Sequence, residues 1–597
     1  MSTIVDRRNL EFTLFEMLEL ETLLFSERFA HCDRATIDQI LDSAQRLAED
    51  LYLPSAARLD AVPPLLADGG VEILPEVGAA LAAYAEAGLG AQTFTFEDGG
   101  LQLPYSVGMA VNGLFAAANL GISNYSMLTT AAAHLLTVFG TAEQKALYAA
   151  PMIEGRWTGT MCLSEPQAGS SLADITTLAV PQDDGTYRLR GTKMWISGAG
   201  HRMTDNIVNL VLARTPGAPS GVRGISLFIV PQRRVGPDGA AGEDNHVTLV
   251  GLNHKMGQRG TTNCMLNFGE TGPTVGHLVG GLHQGLGCMF HMMNEARINV
   301  GHGATMSGLA GYLYSRDYAT ERLQGRRLGR KDPTSPQEPL TAHPDVRRML
   351  LAQKVQVEGA LALCSYCALL VDQQATAEPE EAADLALLLE VLTPIAKSWP
   401  SEHCLEANKL AIQILGGAGY TVDHPVERFY RDNRLNPIHE GTYGIQGIDL
   451  LGRKVRMAGG RGLALLLARI EETLEQASAH ASLTIYVLQL HAALEALSRA
   501  TEAALAEPDL ERALANATLY LDAAGTVVIA WLWLWQAVTA TKALRAEPGR
   551  AAFYEAKLAA CRYCFAYLLP SAVIGFSLVE TLDDTCFALT AEQIAAE

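Results

Sequence analysis

Six short segments between residues 156 and 270 decide the fold of this chain. They read RWTGTMCLSE (156–165), TYRLRGTKMWIS (186–197), NIVNLVLARTP (206–216), GISLFIVP (224–231), HVTLVGLN (246–253) and NCMLNFGE (263–270). Each is apolar or alternating, and Gly, Pro and Asn lie between them, which is the spacing typical of an antiparallel barrel or sandwich. The sequence therefore predicts a central antiparallel β domain over residues 156–272.

Helical periodicity fills the chain on both sides of this β region, because apolar residues recur there every three or four positions. We predict an N-terminal helical domain over 1–155, with a connecting loop over 53–77, and a helical bundle over 273–457, with a polar surface loop over 325–344. An additional helical domain over 458–597 follows the Gly-rich hinge AGGRG. A β module between helical domains is an α+β fold, and no GxGxxG follows a strand, so a Rossmann site is not expected.

The chain carries a formal net charge of −20. An acidic surface repels nucleic acid and anionic membranes, so we predict that charge drives binding to neither. The N-terminal sequence MSTIVDRRNLEF has charged residues before any apolar run and lacks the arrangement of a signal peptide. This pattern predicts a cytoplasmic protein.

The ten cysteines are too sparse for a disulfide framework. Two CxxC pairs occur, Cys364/Cys367 and Cys561/Cys564, in helix-like stretches without a second pair or a His pair at zinc spacing. We therefore predict reduced thiols in the core and no metal site.

Nineteen uncharged residues, three of them tryptophans, lie between Asp522 and Lys542. A membrane span needs ~20 apolar residues, but this run contains Gly, Thr and Gln, and its tryptophans are central, whereas a membrane belt would place them at both ends. We predict a buried helix in a bundle, with contact to a membrane surface as the alternative.

Four further segments carry the residue types of a ligand site. MCLSEPQAGSSLADI (161–175) offers free backbone N–H groups and small hydroxyls, which suit a planar heterocycle or a phosphate. GTKMWISGAG (191–200) places Trp195 and Ser197 on one strand face. QILGGAGYTVDHPVERFYRDNRL (413–435) allows close backbone approach, and NPIHEGTYGIQ (436–446) places Glu440 before Gly441. Taken singly, each has an ordinary explanation as a loop, a core tryptophan, a C-capping turn or a solvated turn residue.

In combination, these segments resemble the acyl-CoA dehydrogenase family, because SEPxAGS, KMWIS, GGxGY and EGT occur in the family's order. The resemblance covers roughly residues 80–455, with the polar loop over 325–344 as an insertion. The extended N-terminus, the polar insertion and the helical C-terminus resemble the large-subunit branch, which includes medium- and long-chain acyl-CoA dehydrogenases and methylthiopropanoyl-CoA dehydrogenases.

The resemblance implies FAD as cofactor and a set of residues that contact it. These cofactor-binding residues are Met161, Leu163, Ser164, Ser170, Trp195, Ser197, Arg322, Gln324, Gln413, Gly416, Gly417, Thr442 and Gly444. Arg322 and Gln324, with Gln413 and the glycines after it, match positions that reach the FAD of a neighbouring subunit, which implies a homo-oligomer, at least a dimer. The substrate-binding residues implied are Ser170, Asn294, Arg297 and Gly441.

The resemblance also implies the reaction. Glu440 is the expected catalytic base, which removes the α-proton of an acyl-CoA as the β-hydrogen leaves as hydride to flavin N5, with the backbone N–H of Glu440 on the thioester oxygen. Burial should raise the pKa of this carboxyl. Some relatives carry the base on another helix, where this chain has Ala296, with Glu295 one position away; one residue turns a helical side chain by about 100°, so we expect Glu295 to be a surface or ion-pair residue.

Two positions depart from the family pattern, and several functions stay open. Tyr443 stands where many relatives have Ser, and His439 where Tyr is common. We expect dehydrogenation of a linear medium- or long-chain acyl-CoA, with electron-transfer flavoprotein as electron acceptor. The alternatives are a 3-methylthiopropanoyl-CoA dehydrogenase, an acyl-CoA oxidase, and a non-catalytic flavin-containing binding protein.

Overall fold

A computed structural model describes residues 2–67, 70–329, 332, 334–546 and 548–596, without the side chains of 291–294 and 548. These residues form two compact units. One unit is residues 32–296, and the other is residues 2–31 together with 297–596.

The chain is mostly helical. In chain order the α-helices are α1 (Arg7–Glu11), α2 (Arg34–Leu47), α3 (Leu53–Ala61), α4 (Pro75–Glu86), α5 (Tyr105–Phe139), α6 (Ala142–Gln144), α7 (Ala150–Ile153), α8 (Gly285–Glu321), α9 (Pro344–Gln374), α10 (Pro379–Leu415), α11 (Val426–Asn433), α12 (Tyr443–Gly452), α13 (Arg461–Ser478), α14 (Thr484–Ala506), α15 (Leu510–Leu514), α16 (Ala517–Ala546), α17 (Ala551–Tyr563), α18 (Leu569–Glu580), α19 (Thr585–Ala588) and α20 (Ala591–Ala595). Short π-helical segments are Phe12–Met17, Ala48–Tyr52, Lys145–Ala149 and Cys564–Leu568. Short 3₁₀ segments are Leu20–Phe25, Glu27–Phe29, Gly221–Gly224, Leu340–Ala342, Gly416–Tyr420, Lys454–Gly460, Ala481–Leu483 and Pro548–Arg550.

The strands belong to the unit of residues 32–296. They are β1 (Leu65–Ala67), β2 (Gly70–Glu72), β3 (Thr158–Cys162), β4 (Leu178–Pro181), β5 (Tyr187–Ser197), β6 (Ile207–Arg214), β7 (Ile225–Pro231), β8 (Arg233–Val235), β9 (Ala241–Asp244), β10 (Val247–Leu252), β11 (Asn263–Phe268) and β12 (Thr274–Val279). Strands β5, β12, β7, β6 and β4 close into a ring, since β4 pairs with both β5 and β6. β11 and β10 continue from β5, and β3 continues from β6.

Two central strands of this barrel are buried on both faces. Val211 of β6 and Phe228 of β7 pack into one apolar cluster with Ile196. Their neighbours Leu210 and Ile229 pack into a second cluster, which includes residues of α5. Because successive side chains of a strand point to opposite faces, this double burial explains why both segments are almost continuously apolar.

The α+β fold class predicted from the sequence is confirmed in outline, with a β-barrel and helical domains. Three details differ. β3 pairs with β6 in parallel, whereas the spacing predicted antiparallel pairing throughout. The β region continues to Val279, because β12 fills the place between β5 and β7. The predicted connecting loop over 53–77 contains α3 and the hairpin of β1 and β2.

The second unit is built around long helices that pack closely. Trp533 of α16 donates from Nε1 to the carbonyl of Val355 in α9 at 3.0 Å, and a Cβ at Gly359 would lie 2.9 Å from the same indole. Trp531 donates to Thr473 Oγ1 at 2.7 Å. The uncharged run of α16 is therefore a buried core helix, as predicted.

By length and composition, four helical stretches of the described residues could cross a membrane. In α5, α9 and α16, at least 83% of the apolar window is buried inside the protein, so these helices are core. The fourth stretch, Ala551–Glu580, is 33% buried, and its exposed side chains include Tyr567 and Ile574.

A buried charged cluster joins the two ends of the chain within the second unit. Lys557 of α17 donates to Glu358 Oε2 of α9 and to Gln536 Oε1 of α16, both at 2.8 Å, and also to Asn9 of α1. Lys354 pairs with the other oxygen of Glu358. Burial disfavours the charged carboxyl, but the two ammonium groups outweigh it and hold the pKa of Glu358 below its ordinary value. Through Asn9, the cluster links residues 2–31 to the rest of this unit.

We expect Glu358→Gln to destabilise the second unit by about 3–5 kcal/mol, because it leaves two buried ammonium groups without a counter-charge. Chemical denaturation followed by circular dichroism measures this loss. Glu406→Gln removes one partner of the exposed Lys409 pair and should cost about 1 kcal/mol or less. Equal stability of the two variants would contradict the assignment.

Candidate active site

In the unit of residues 32–296, the end of β3 lies beside the end of β5. The carbonyl of Leu163 accepts from Lys193 Nζ at 2.9 Å, and that of Ser164 accepts from the Met194 N–H at 3.0 Å. Met161 is buried, Leu163 and Ser164 are half-buried, and Ser170 is exposed. The SEPxAGS segment is thus anchored at its start and open at its Gly-Ser-Ser end.

Trp195 sits on a β-bulge. The pairing of β5 with β11 shifts between Ile196 and Lys193, and Trp195 has a φ of 65°, in the left-handed region. Such a conformation is strained for a bulky residue, and bulges of this kind re-aim side chains next to functional sites. The indole is 61% exposed, whereas the other five tryptophans, all within the described residues, are buried or half-buried. Ser197, two residues on, accepts from Asn263 Nδ2 at 3.0 Å.

The buried carboxylate of Glu165 holds this loop in place through several hydrogen bonds. Its carboxylate pairs with Lys193 at 2.9 Å, and the two side chains are 1% and 0% exposed. The same carboxylate accepts from the backbone N–H and the hydroxyl of both Thr176 and Thr177. Burial opposes ionisation, but Lys193 and the threonine hydrogen bonds outweigh it and lower the pKa of Glu165 to about 2. Both ends of the segment from Leu163 to Thr177 are therefore tied to one buried charge pair.

In the second unit, Glu440 lies in a strained turn just before α12. Its φ is 55° and that of Gly441 is 97°. Gln446 Nε2 donates to the Glu440 carbonyl at 3.0 Å, and Lys397 Nζ donates to the Gly441 carbonyl at 2.8 Å. A Cβ at position 441 would lie 2.4 Å from Gln446 Nε2, so this position requires glycine.

The carboxyl of Glu440 is half-buried, and burial raises its pKa above the ordinary value, against the opposing charges of Arg297 and Lys397. Arg297 is itself buried and donates to Asp449 Oδ2 at 3.1 Å. His439 lies next to the base and hydrogen-bonds Asn436 Oδ1 at 3.0 Å. Burial lowers the pKa of His439 to about 3, so this ring is neutral.

The first turn of α12 is held by the C-terminal extension. Tyr443 Oη donates to Asp522 Oδ1 of α16 at 2.9 Å, and His403 Nε2 lies 2.9 Å from the same oxygen. Thr442 is the N-cap residue of α12, and a Cβ at Gly444 would lie 3.7 Å from Thr518 Oγ1. Tyr443 thus has a hydrogen-bond partner in the C-terminal extension.

Sequence reasoning missed two residues of this region, Lys397 and Asp522. Lys397 is the only charged residue of the run TPIAKSW, and a lone lysine in a mostly apolar run is a signal for a buried charge. Asp522 stands at the edge of the uncharged α16 run and carried no comparable signal.

The residues predicted to reach a neighbouring subunit's cofactor are exposed. Arg322 and Gln324 follow α8, and Gln413 lies in the last turn of α10. Gly416 has a φ of 61°, and a Cβ at Gly416 or Gly417 would meet open space. These positions are free to contact a second molecule.

Two predictions concern the middle of α8. The side chain of Asn294 lies outside the described residues. Glu295 Oε2 lies 2.9 Å from His134 Nδ1, and this carboxylate raises the pKa of His134 above its ordinary value. Glu295 is thus an ion-pair residue, as expected from its position one residue away from Ala296.

Comparison of the sequence with known protein families identifies the family of this chain. Four family models match in order: the acyl-CoA dehydrogenase N-terminal domain over residues 35–156, its middle domain over 160–271, its C-terminal domain over 283–455, and an acetyl-CoA dehydrogenase C-terminal-like domain over 466–590. The chain belongs to the acyl-CoA dehydrogenase family. It is an oxidoreductase of the flavoprotein class, as the motifs predicted.

Two relatives align along most of their length. The 3-methylmercaptopropionyl-CoA dehydrogenase of Ruegeria pomeroyi is 36% identical over 525 residues, covering 87% of this chain and 88% of the relative. A broad-specificity linear acyl-CoA dehydrogenase of Mycobacterium tuberculosis is 33% identical over 601 residues, covering 98% of each. A solved acyl-CoA dehydrogenase from Bacillus anthracis, complexed with FAD, shares the fold, with a TM-score of 0.72 and 20% identity over 95% of this chain and 93% of that one.

FAD is the cofactor of this family, and the residues of each unit fit it. An exposed indole on a bulge with a hydroxyl nearby, as at Trp195 and Ser197, suits a flat ring. The open backbone at Gly416 and Gly417 leaves room for close approach of a ligand. The individual contacts predicted for FAD and CoA stay predictions.

We expect Glu165→Gln to lower the stability of the unit of residues 32–296 by about 3–5 kcal/mol, since Lys193 loses its buried counter-charge. The pKa of Glu165 is lowered from 4.5 to about 2, so its contribution is present in full above pH 4.5 and is lost as the pH falls through about 2. The stability gap between wild type and variant should therefore close in acid, as measured by denaturation from pH 7 downward. A gap that stays constant to pH 2 contradicts the charge pair.

Proposed function

We propose that this enzyme oxidises a linear medium- or long-chain acyl-CoA to the trans-2-enoyl-CoA, with Glu440 as the base for the α-proton. The observation that carries the proposal is the turn at Glu440. The backbone of this residue lies in the left-handed region, and burial raises the pKa of its carboxyl. A half-buried carboxyl on a strained turn, whose backbone carbonyls accept hydrogen bonds from Gln446 and Lys397, is typical of a functional group.

The α-C–H of a thioester is a weak acid, so its removal needs a carboxylate held close by and a donor to the enolate-like oxygen. Glu440 provides the carboxylate, and its side-chain oxygen receives the proton. The backbone N–H of the same residue provides the donor. Gln446 holds the Glu440 carbonyl and Lys397 holds the Gly441 carbonyl, so both bonds support the turn that carries the base. Bound FAD supplies the acceptor of the β-hydrogen as hydride.

The second candidate substrate is 3-methylthiopropanoyl-CoA. The Ruegeria relative named for this substrate aligns at 36% identity, and the Mycobacterium relative named for linear acyl-CoA aligns at 33%. A thioether sulfur and a methylene are near in size, which makes both chains candidates for the same site. Rates of flavin reduction across saturated acyl-CoA lengths and 3-methylthiopropanoyl-CoA separate the two candidates.

The electron acceptor, assembly and location are part of the same proposal. Reduced enzyme passes electrons to electron-transfer flavoprotein in the cytoplasm, and comparison with oxygen as acceptor tests the oxidase alternative. A homodimer is supported by the exposure of Arg322, Gln324 and Gln413 next to the apolar side chains of Tyr420 and Val422, which are 90% and 86% exposed. Light scattering tests the dimer.

We expect Glu440→Gln to slow reduction of enzyme-bound flavin by acyl-CoA about 10²–10⁴-fold, because the amide cannot accept the α-proton. Anaerobic stopped-flow absorbance measures the rate. Glu295→Gln is the matched control, since it changes the carboxyl nearest the alternative base position, and it should keep the wild-type rate. Wild-type reduction by Glu440→Gln with full FAD content would remove Glu440 from its role.

A further inference from the structure

Lys397 is a completely buried lysine beside the Glu440 turn. It belongs to α10, within a run from Val391 to Pro400 in which every residue is buried. The side chain itself has no exposed surface. A lysine is rarely buried this completely, because its ammonium loses all hydration.

The partner of this ammonium is a backbone carbonyl. Lys397 Nζ donates to the Gly441 oxygen at 2.8 Å, across 44 residues of sequence. Within the described part of the chain, Lys397 forms no direct salt bridge. Its positive charge is therefore not neutralised by contact and acts on nearby carboxyls.

The turn needs such a support. Glu440 and Gly441 both have φ values in the left-handed region, 55° and 97°, and a non-glycine residue keeps this conformation only where its surroundings fix it. Gln446, from the following helix, holds the carbonyl of Glu440. Lys397 holds the next carbonyl from a different helix, so it ties the turn to the buried core of α10.

We propose that Lys397 is a positioning residue of the dehydrogenation site: its hydrogen bond to the Gly441 carbonyl fixes the Glu440 turn, and its charge keeps the Glu440 carboxyl ionised. The inference rests on the proposed role of Glu440. It assigns to one side chain two separable effects, one of geometry and one of charge.

The charges around Lys397 are consistent with this role. Glu440 and Glu402 attract its ammonium and Arg297 repels it, while His439 is neutral because its own pKa is lowered to about 3. Burial lowers the pKa of Lys397 to about 7. The ammonium therefore carries its charge below neutral pH, in the range where a carboxyl titrates. Arg297 is already paired with Asp449, which leaves Lys397 as a cation without a carboxylate of its own.

Two substitutions separate the effects in the FAD-loaded enzyme. Lys397→Gln keeps a donor and removes the charge, and Lys397→Met removes both. The rate of flavin reduction by acyl-CoA is measured from acid to neutral pH, and the ionisation of Glu440 is followed independently by infrared titration of its carboxyl band. That band is assigned by its loss in Glu440→Gln. Lys409→Met is the matched control, an exposed lysine on the same helix paired with Glu406.

In both Lys397 variants, we expect the acid limb of the rate profile and the infrared titration to move upward by about 1–3 pH units, the usual effect of losing a nearby opposite charge. In Lys397→Met the plateau rate should also fall about tenfold, the equivalent of about 1.4 kcal/mol, and Lys397→Gln should recover part of it. Lys409→Met should change neither quantity.

A Lys397→Gln enzyme with the wild-type infrared titration overturns the inference, as does a rate loss that is equal at every pH. If Lys397→Met does not fold, Lys397→Gln alone still decides the charge effect. If Glu440→Gln keeps the wild-type rate, the proposed function fails and the inference with it. If Glu440→Gln is inactive while Lys397→Gln titrates like wild type, only the inference fails.

Discussion

The hydrogen bond from Lys397 Nζ to the Gly441 carbonyl places a charge where the protein has excluded water. Removing an ammonium from water costs several kcal/mol, so the fold accommodates it only where the arrangement of neighbours is specific. Apolar contacts are non-directional, whereas a buried ammonium is stable only where a hydrogen-bond acceptor lies at the right distance and angle. The Glu440 turn is thus held at a defined place on α10, although its backbone conformation is itself unfavourable.

In the unit of residues 32–296, a buried charge likewise fixes a loop. The Lys193–Glu165 pair has almost no exposed surface. Glu165 also accepts hydrogen bonds from Thr176 and Thr177, and Lys193 also donates to the carbonyl of Leu163. This pair therefore ties together the two ends of the loop from Leu163 to Thr177, and the side chains of Ala168 and Ile175 pack into the apolar core from within it. Fixing such a loop is otherwise costly in chain entropy. Its Gly-Ser-Ser end stays open, as a ligand-binding loop requires.

The sequence predicted what depends on local pattern. The barrel strands are separate apolar runs, so alternation and turn residues were enough to find most of them, and Glu440 stood out because EGT follows GGxGY in the family's order. The bulge at Trp195, the parallel pairing of β3 with β6 and the contact of Lys397 with Gly441 were not predicted. Each depends on residues far apart in the chain, and periodicity carries no information about such pairs.

Asp522 links the C-terminal helical domain to the Glu440 segment. Tyr443 reaches this carboxylate from the first turn of α12 across 79 residues of sequence, and His403 of α10 meets the same oxygen. A serine at position 443 is too short to make this contact, so the hydrogen bond to α16 depends on the tyrosine. Because α12 begins two residues after Gly441, the extension constrains the helix that follows the base, while Lys397 constrains the turn that carries it. The C-terminal domain is therefore a structural support of the Glu440 segment within its own unit.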